Sequence, residues 1–169
     1  MNRRIATLLV VAALLAGIGA ACTVLADSLR TSETARNLAH VDTDATLEVR
    51  SAVVRAVNKV LTYRFDDVES TRRAAEDLLR GPAREQYRQL FTQVSDRAPE
   101  QRLTVTTRVV DSAVLFLTPD RAEVLVFADQ VSVRGGDEPT AEPTSAAAQL
   151  LVTATRHGDR WLLTNLSQA

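Results

Sequence analysis

Residues 5–26, IATLLVVAALLAGIGAACTVLA, carry no charge and follow the basic start Met1-Asn2-Arg3-Arg4. At about 1.5 Å of rise per residue this run makes a helix of about 33 Å, enough to cross a hydrocarbon core of about 30 Å. The expectation is a membrane anchor whose apolar bulk comes from Ile5, Leu8, Leu9, Val10, Val11, Leu14, Leu15, Ile18, Val24 and Leu25. Arg3 and Arg4 lie before it and the first charge after it is Asp27, so the positive-inside bias puts the N-terminus in the cytoplasm. Everything from Asp27 onward is then expected outside. The competing reading is a cleaved signal peptide, with Gly19-Ala20-Ala21 as the cut and Cys22 as an acylated residue. A signal peptide's apolar core is about 7–15 residues, however, and Gly19 stands where a lipoprotein signal carries a branched apolar residue.

The remainder is one domain's worth of chain, long enough to enclose a single core. Cys22 is the sole cysteine and sits in the apolar run, so the exported part has no internal disulfide and relies on packing. Twenty Lys+Arg against 21 Asp+Glu give a formal net charge of −1 with the signs interspersed, which leaves no nucleic-acid footprint. Residues 27–43 are polar with weak periodicity and read as a linker, and 44–169 as the extracytoplasmic domain. His40 stands in that linker with no second metal-ligating residue in pattern beside it.

The first helix is expected to open at Asp44 and to carry Val49, Val53, Val57 and Val60 as an apolar stripe at three- and four-residue steps. Asp66 with Glu69 has the form of a capping box opening a second helix. Gly81-Pro82 is expected to end that helix and begin a third, with Tyr87, Leu90, Phe91 and Val94 at i, i+3, i+4 and i+7 and a stop at Ala98-Pro99. The period then changes from about 3.6 to 2. Residues 103–110 alternate and are rich in β-branched side chains; 114–117 and 122–133 flank the turn Thr118-Pro119-Asp120 as a hairpin. Residues 135–145 read as a loop, and 150–156 and 160–166 as the last strands, joined through His157-Gly158-Asp159. The fold class is therefore α+β: an N-terminal transmembrane helix, then three helices packed on one face of a curved antiparallel sheet of four to five strands, a cone-shaped, nuclear-transport-factor-2-like arrangement.

Little in the sequence supports catalysis. There is no Gly-rich phosphate loop, metal-ligand cluster or nucleophile elbow, so no cofactor, metal or catalytic residue is expected. Asp66, Asp67 and Glu69 suit a helix start, where carboxylates complement the dipole. Arg72, Arg73, Arg80, Arg84 and Arg88 form either a basic face for lipid headgroups or a solvated face diluted by Glu76, Asp77 and Glu85, with Glu76 and Arg80 as an i,i+4 pair. Tyr63, Phe65, Phe127 and Trp161 either line an apolar hollow for a lipid tail or sterol ring, or are the largest pieces of the core. His157 falls in a turn with no nucleophile placed beside it. Asp111 and Asp129 are the strand carboxylates nearest the apolar face, and a buried Asp129 would favour an enzyme.

The stretches VLTYRFDDVES, LLRGPAREQY, TPDRAEVLVFADQ and RHGDRWLL, in this order, resemble the Mce-associated membrane proteins of mycobacteria and other actinobacteria. The likeness extends over the anchor and nearly all of the domain, and departs from the family at Leu79-Arg80-Gly81, where Thr-Gly is commoner. It implies a single-pass protein whose domain lies outside the cytoplasmic membrane, an accessory or stabilising subunit beside importers of lipids or sterols. The partners so implied are the membrane, the Mce transporter subunits and a lipid or sterol. The domain is also similar to an inner-membrane assembly protein of type IV secretion, which builds complexes by contact. A binding module that uses the cone's cavity is the alternative reading.

Overall fold

The computed structural model describes residues 37–39, 41–95, 100, 102–135 and 142–169. The apolar run 5–26, Cys22, His40 and the stop at Ala98-Pro99 lie outside them. No helix among the described residues is long and apolar enough to cross a membrane.

Three helices precede four strands: α1 Thr43–Val60, α2 Val68–Leu78, α3 Gly81–Ser95, β1 Thr104–Leu117, β2 Arg121–Val133, β3 Thr144–His157 and β4 Arg160–Gln168. The strands form one antiparallel sheet in sequence order. This is the expected α+β arrangement with four strands. The segments expected separately at 103–110 and 114–117 are one long strand, continued through two bulges, between Val109 and Asp111 and between Val114 and Phe116. A bulge lets a strand bend while its ladder resumes, so a break in period-2 patterning is not a break in the strand. Strand β3 likewise begins earlier than its apolar run: Ala146, Ala147 and Ala148 pair with Gln130, Asp129 and Ala128.

The core sits between α1 and one face of the sheet. Val49, Val53, Val57 and Val60 are buried as their spacing requires. They meet Val124 and Val126 of β2, Val152 and Ala154 of β3, and Trp161 and Leu163 of β4 in one cluster. Each fully buried valine or leucine contributes about 1.5–3 kcal/mol of transfer free energy. Leu38 packs on this cluster and its N–H donates to the Leu117 carbonyl at 2.8 Å, so the compact unit starts at Leu38.

Local chemistry at the helix ends departs from the sequence reading. Asp42, and not Asp44, caps α1, its carboxylate accepting from the Ala45 N–H at 2.9 Å. Asp67 caps α2 through the Ser70 N–H, while Asp66 takes two hydrogen bonds from the Arg64 guanidinium and Glu69 pairs with Arg72. A bidentate arginine fork outcompetes a single backbone donor for a carboxylate, so no capping box forms. Helix α2 stops at Leu78, before Gly81, because Leu79 bridges to Leu163 and the Arg80 N–H donates to the Leu163 carbonyl. Gly81, at φ +53°, then starts α3 in the left-handed conformation that favours glycine. On α3, Leu90 is 66% exposed while Tyr87 packs on the core with the buried Ala83 and stacks on Phe91; the side chain of Val94 lies outside the described ones.

The segments after α1 and α2 also close the two sheet edges. Tyr63 exchanges both backbone hydrogen bonds with Val105 on the free edge of β1, while Thr62 and Asn58 side chains accept from the N–H groups of Thr107 and Val109. On the far edge, Leu79 and Arg80 cover β4 at Leu163. Unpaired strand edges invite pairing with other chains, and here the helix connectors cover a part of each, near Val105 on β1 and at Leu163 on β4.

Candidate functional site

Three features of the domain bear on contact or binding: an aromatic cleft under α3, the charged outer surface of α2 and α3, and the face of the sheet turned away from the helices. The aromatic cleft, a recess of about 290 Å³, lies between α3 and the end of α1 and is lined by Val60, Tyr63, Tyr87, Leu90, Phe91 and Val105 among others. Tyr87 stacks on Phe91 at 5.0 Å between centroids, and Tyr63 meets Phe91 edge-on at 6.4 Å. A second recess of about 330 Å³ opens on the α2 side of the same Tyr87 and Phe91. The Tyr87 hydroxyl is buried with no hydrogen-bond partner among the described residues, and burial pushes its pKa above the ordinary phenol range. Burial raises Tyr63 as well.

The four aromatics named from the sequence are not brought to one cavity. Tyr63 lines the aromatic cleft. Phe65 is half-buried under the Arg102 guanidinium, 5.3 Å from its ring centroid. Trp161 belongs to the core; its indole N–H donates to Glu48 at 3.2 Å and Arg156 lies over its ring. Phe127 is 37% exposed on the other face of the sheet, since its neighbours Val126 and Ala128 take the inner positions. The residues that do converge with Tyr63 are Tyr87 and Phe91, legible in the sequence only as a helix stripe.

Of the five arginines Arg72, Arg73, Arg80, Arg84 and Arg88, two pair with carboxylates, and Arg73 and Arg84 form no ion pair among the described residues. Arg72 pairs with both Glu69 and Glu76, and Arg88 with Glu85. The expected Glu76–Arg80 pair is absent: Arg80 instead donates to the carbonyls of Glu76 and Leu79 at 2.7 Å, closing the end of α2. Arg160 holds Asp77 through two hydrogen bonds of 2.8 and 3.1 Å. Hydrogen bonds from Arg64, Arg72 and Arg160 hold the carboxyls of Asp66, Glu69 and Asp77 respectively below their ordinary range. His157 is exposed at the end of β3 beside the Thr155 hydroxyl. Asp111 is exposed and pairs with Arg50 at 3.2 Å, and Asp129 is exposed, so neither supplies a buried carboxylate. No group of three or more metal-ligating side chains occurs among the described residues.

The outer face of the sheet is apolar along its middle. Ala113, Leu125 and Leu151 stand in one cross-strand row. Phe127 follows it on β2 at 37% exposure, Val131 lies further along the strand beyond Asp129 at 38%, and Val110 and Leu115 project at the two bulges of β1 at 55% and 46%. Polar side chains border these positions, Phe127 standing between Asp111 and Gln149 and Val131 between Thr106 and Ser145, the mixed character of a contact surface.

Comparison with known proteins places the chain. No protein-family model matches its sequence. It is 30% identical over 113 residues to Outer membrane protein Rv1973 of Mycobacterium tuberculosis, covering 66% of this chain and 68% of that protein. The chain belongs to that protein's family. It is also 36% identical over 123 residues to Uncharacterized protein Rv1362c of the same organism, covering 70% of the chain but 54% of that relative, so it spans about half the length of this relative. Among solved structures, the VirB8 protein of Agrobacterium tumefaciens matches with a TM-score of 0.58 at 10% identity, over 76% of this chain and 94% of that one. An IcmL-like type IV secretion system protein of Legionella pneumophila gives 0.57 at 9% identity, over 73% and 91%. The periplasmic domain of DotI gives 0.55 at 13%, over 76% and 99%. At such identities the likeness is one of fold, and that fold is the nuclear-transport-factor-2-like arrangement expected from the element order.

Proposed function

We propose that the protein is a single-pass accessory protein of the cell envelope that stabilises or assembles an Mce-type lipid or sterol importer through protein–protein contacts. In this reading residues 5–26 are the anchor, the N-terminus is cytoplasmic and the domain stands in the periplasm or envelope. The observation that carries it is the apolar outer face of the sheet, with Phe127, Val131, Val110 and Leu115 exposed on a domain whose core lies wholly on the opposite face. Support comes from the naming of a family member as an outer membrane protein, and from a fold shared with domains of type IV secretion proteins. An anchored domain also meets membrane partners at raised effective concentration. The test is co-purification of a tagged full-length copy in mild detergent from its native host. Recovery of the permease, ATPase or substrate-binding subunits of an Mce system, lost in a Phe127→Ser/Val131→Ser variant, is the expected result.

The second reading, a lipid- or sterol-binding module, is favoured by one observation: a buried hydroxyl without a partner among the described residues, Tyr87 Oη, beside a cleft lined mostly by aromatic and aliphatic groups, with Gln130 and Ser132 at its β2 side. An apolar ligand bearing one hydrogen-bonding oxygen satisfies both features. Recovery of bound lipid with no protein partner, and its loss on Tyr87→Phe, would replace the contact reading with this one.

A further inference from the structure

A groove of about 740 Å³ lies between the C-terminal half of α1, the start of α2 and β1. Arg55, Asn58, Lys59 and Thr62 line it at i, i+3, i+4 and i+7, so one face of α1 and its exit make a wall, and Arg108 of β1 contributes from the sheet side. Arg55, Lys59 and Arg108 form no hydrogen bond or ion pair among the described residues. Arg72, Arg88, Arg121, Arg156 and Arg160 each meet a carboxylate; Arg73 and Arg84 do not, but they line no common groove with another unpaired cation, as Arg55, Lys59 and Arg108 do. The carboxylate in the lining, Asp67, accepts from the Ser70 N–H as the α2 cap, and the fourth cation, Arg64, is held by Asp66.

The neutral groups of the groove are turned the same way. Asn58 Oδ1 accepts from the Val109 N–H at 2.7 Å, which fixes the amide and leaves its NH₂ as a donor with no acceptor among the described residues. The hydroxyls of Thr71 and Thr107 donate inward, to the carbonyls of Thr62 and Leu61 at 3.0 and 2.7 Å. The groove thus offers two guanidinium forks, one ammonium and one oriented amide donor against one carboxylate, Asp67, whose Oδ1 is taken by the α2 cap; Lys59 also acts on Asp77 at the end of α2. We propose that it binds a phosphate-bearing anion, whose several oxygens accept from cations supplied by separate elements. The alkyl stems of Arg55 and Lys59, with Tyr63 and Ala74, leave room beside the phosphate for an attached organic group. The site meets the outer sheet face at Arg108, which stands opposite Asp129 in the register with β2, while Arg55, Asn58 and Lys59 lie on the helix side.

The anion is either a phospholipid headgroup or a soluble phosphate, and calorimetry on the full chain in neutral detergent distinguishes them. Pyrophosphate is titrated in one arm, and phosphatidylglycerol against phosphatidylcholine in mixed micelles in the other. Saturable binding of pyrophosphate identifies a soluble ligand; saturable binding of phosphatidylglycerol alone identifies a headgroup. In either case Arg55→Gln/Arg108→Gln weakens binding about tenfold or more, while Arg160→Gln, which removes the same kind of charge elsewhere, leaves it unchanged. Circular dichroism checks the fold of each variant, and Lys59→Gln, an exposed helix position, repeats the test with a single change. Absence of saturable binding to both probes, or equal weakening by Arg160→Gln, overturns the proposal.

Discussion

The Tyr87 hydroxyl is the polar group whose removal tests the interior most directly. Burying a hydroxyl without a partner costs free energy that phenylalanine does not incur, so Tyr87→Phe is expected to raise stability by about 1 kcal/mol, read from urea midpoints. The tyrosine's pKa is raised in the folded state, so its contribution is full below the ordinary phenol value of about 10 and is lost as pH rises beyond it. The phenylalanine variant is expected to show less of that alkaline loss. The carboxylates behave in the opposite sense. Asp66, Glu69 and Asp77 are held low by arginine hydrogen bonds, so what they contribute is present above the ordinary carboxylate range and disappears as pH falls through their folded values. Urea midpoints should hold from pH 7 to about pH 5 and decline below about pH 4. Asp66→Asn/Asp77→Asn should flatten that decline, and an unchanged slope would show that these pairs do not persist in solution.

At the scale of elements, two adjacent aspartates divide the start of α2 between them. Asp67 caps the helix and Asp66 binds Arg64, so Asp67→Ala is expected to cost about 1 kcal/mol and Asp66→Ala to lower the urea midpoint by less. The reverse order would restore the capping box that the sequence suggests. The motif is present, but Arg64 stands two residues from Asp66, and the conformation of the turn decides which of them the carboxylate serves. The strand bulges teach the same lesson. Val110 and Leu115 interrupt alternation in β1, and only the pairing with β2 shows one continuous strand.

For the whole molecule, the two faces of the sheet should respond differently to the same chemistry. Val126→Ser places a hydroxyl in the buried cluster and is expected to cost several kcal/mol, enough to unfold a domain of ordinary stability. Phe127→Ser, one residue on, faces outward at 37% exposure and should cost clearly less than Val126→Ser while weakening association. Thermal unfolding of both variants in neutral detergent, alongside co-purification, separates the role of each face. Loss of folding in Phe127→Ser would mean that the outer face is a packing surface of the monomer.

The sequence by itself determined the α1 valine stripe, the order of helices before strands, the β1–β2 hairpin at Thr118-Pro119-Asp120 and the tight turn at Gly158. These are local matters of period and turn chemistry, which travel with the residues. Tertiary structure alone decided that Phe127 faces outward, that Tyr63, Tyr87 and Phe91 meet, and that Leu79 and Tyr63 close the two sheet edges. It also decided which arginines keep a carboxylate and which stand open beside the β1 edge. A strand's outward face depends on register, an aromatic's neighbours on packing, and an arginine's charge on which acceptor the fold brings within reach of its fork.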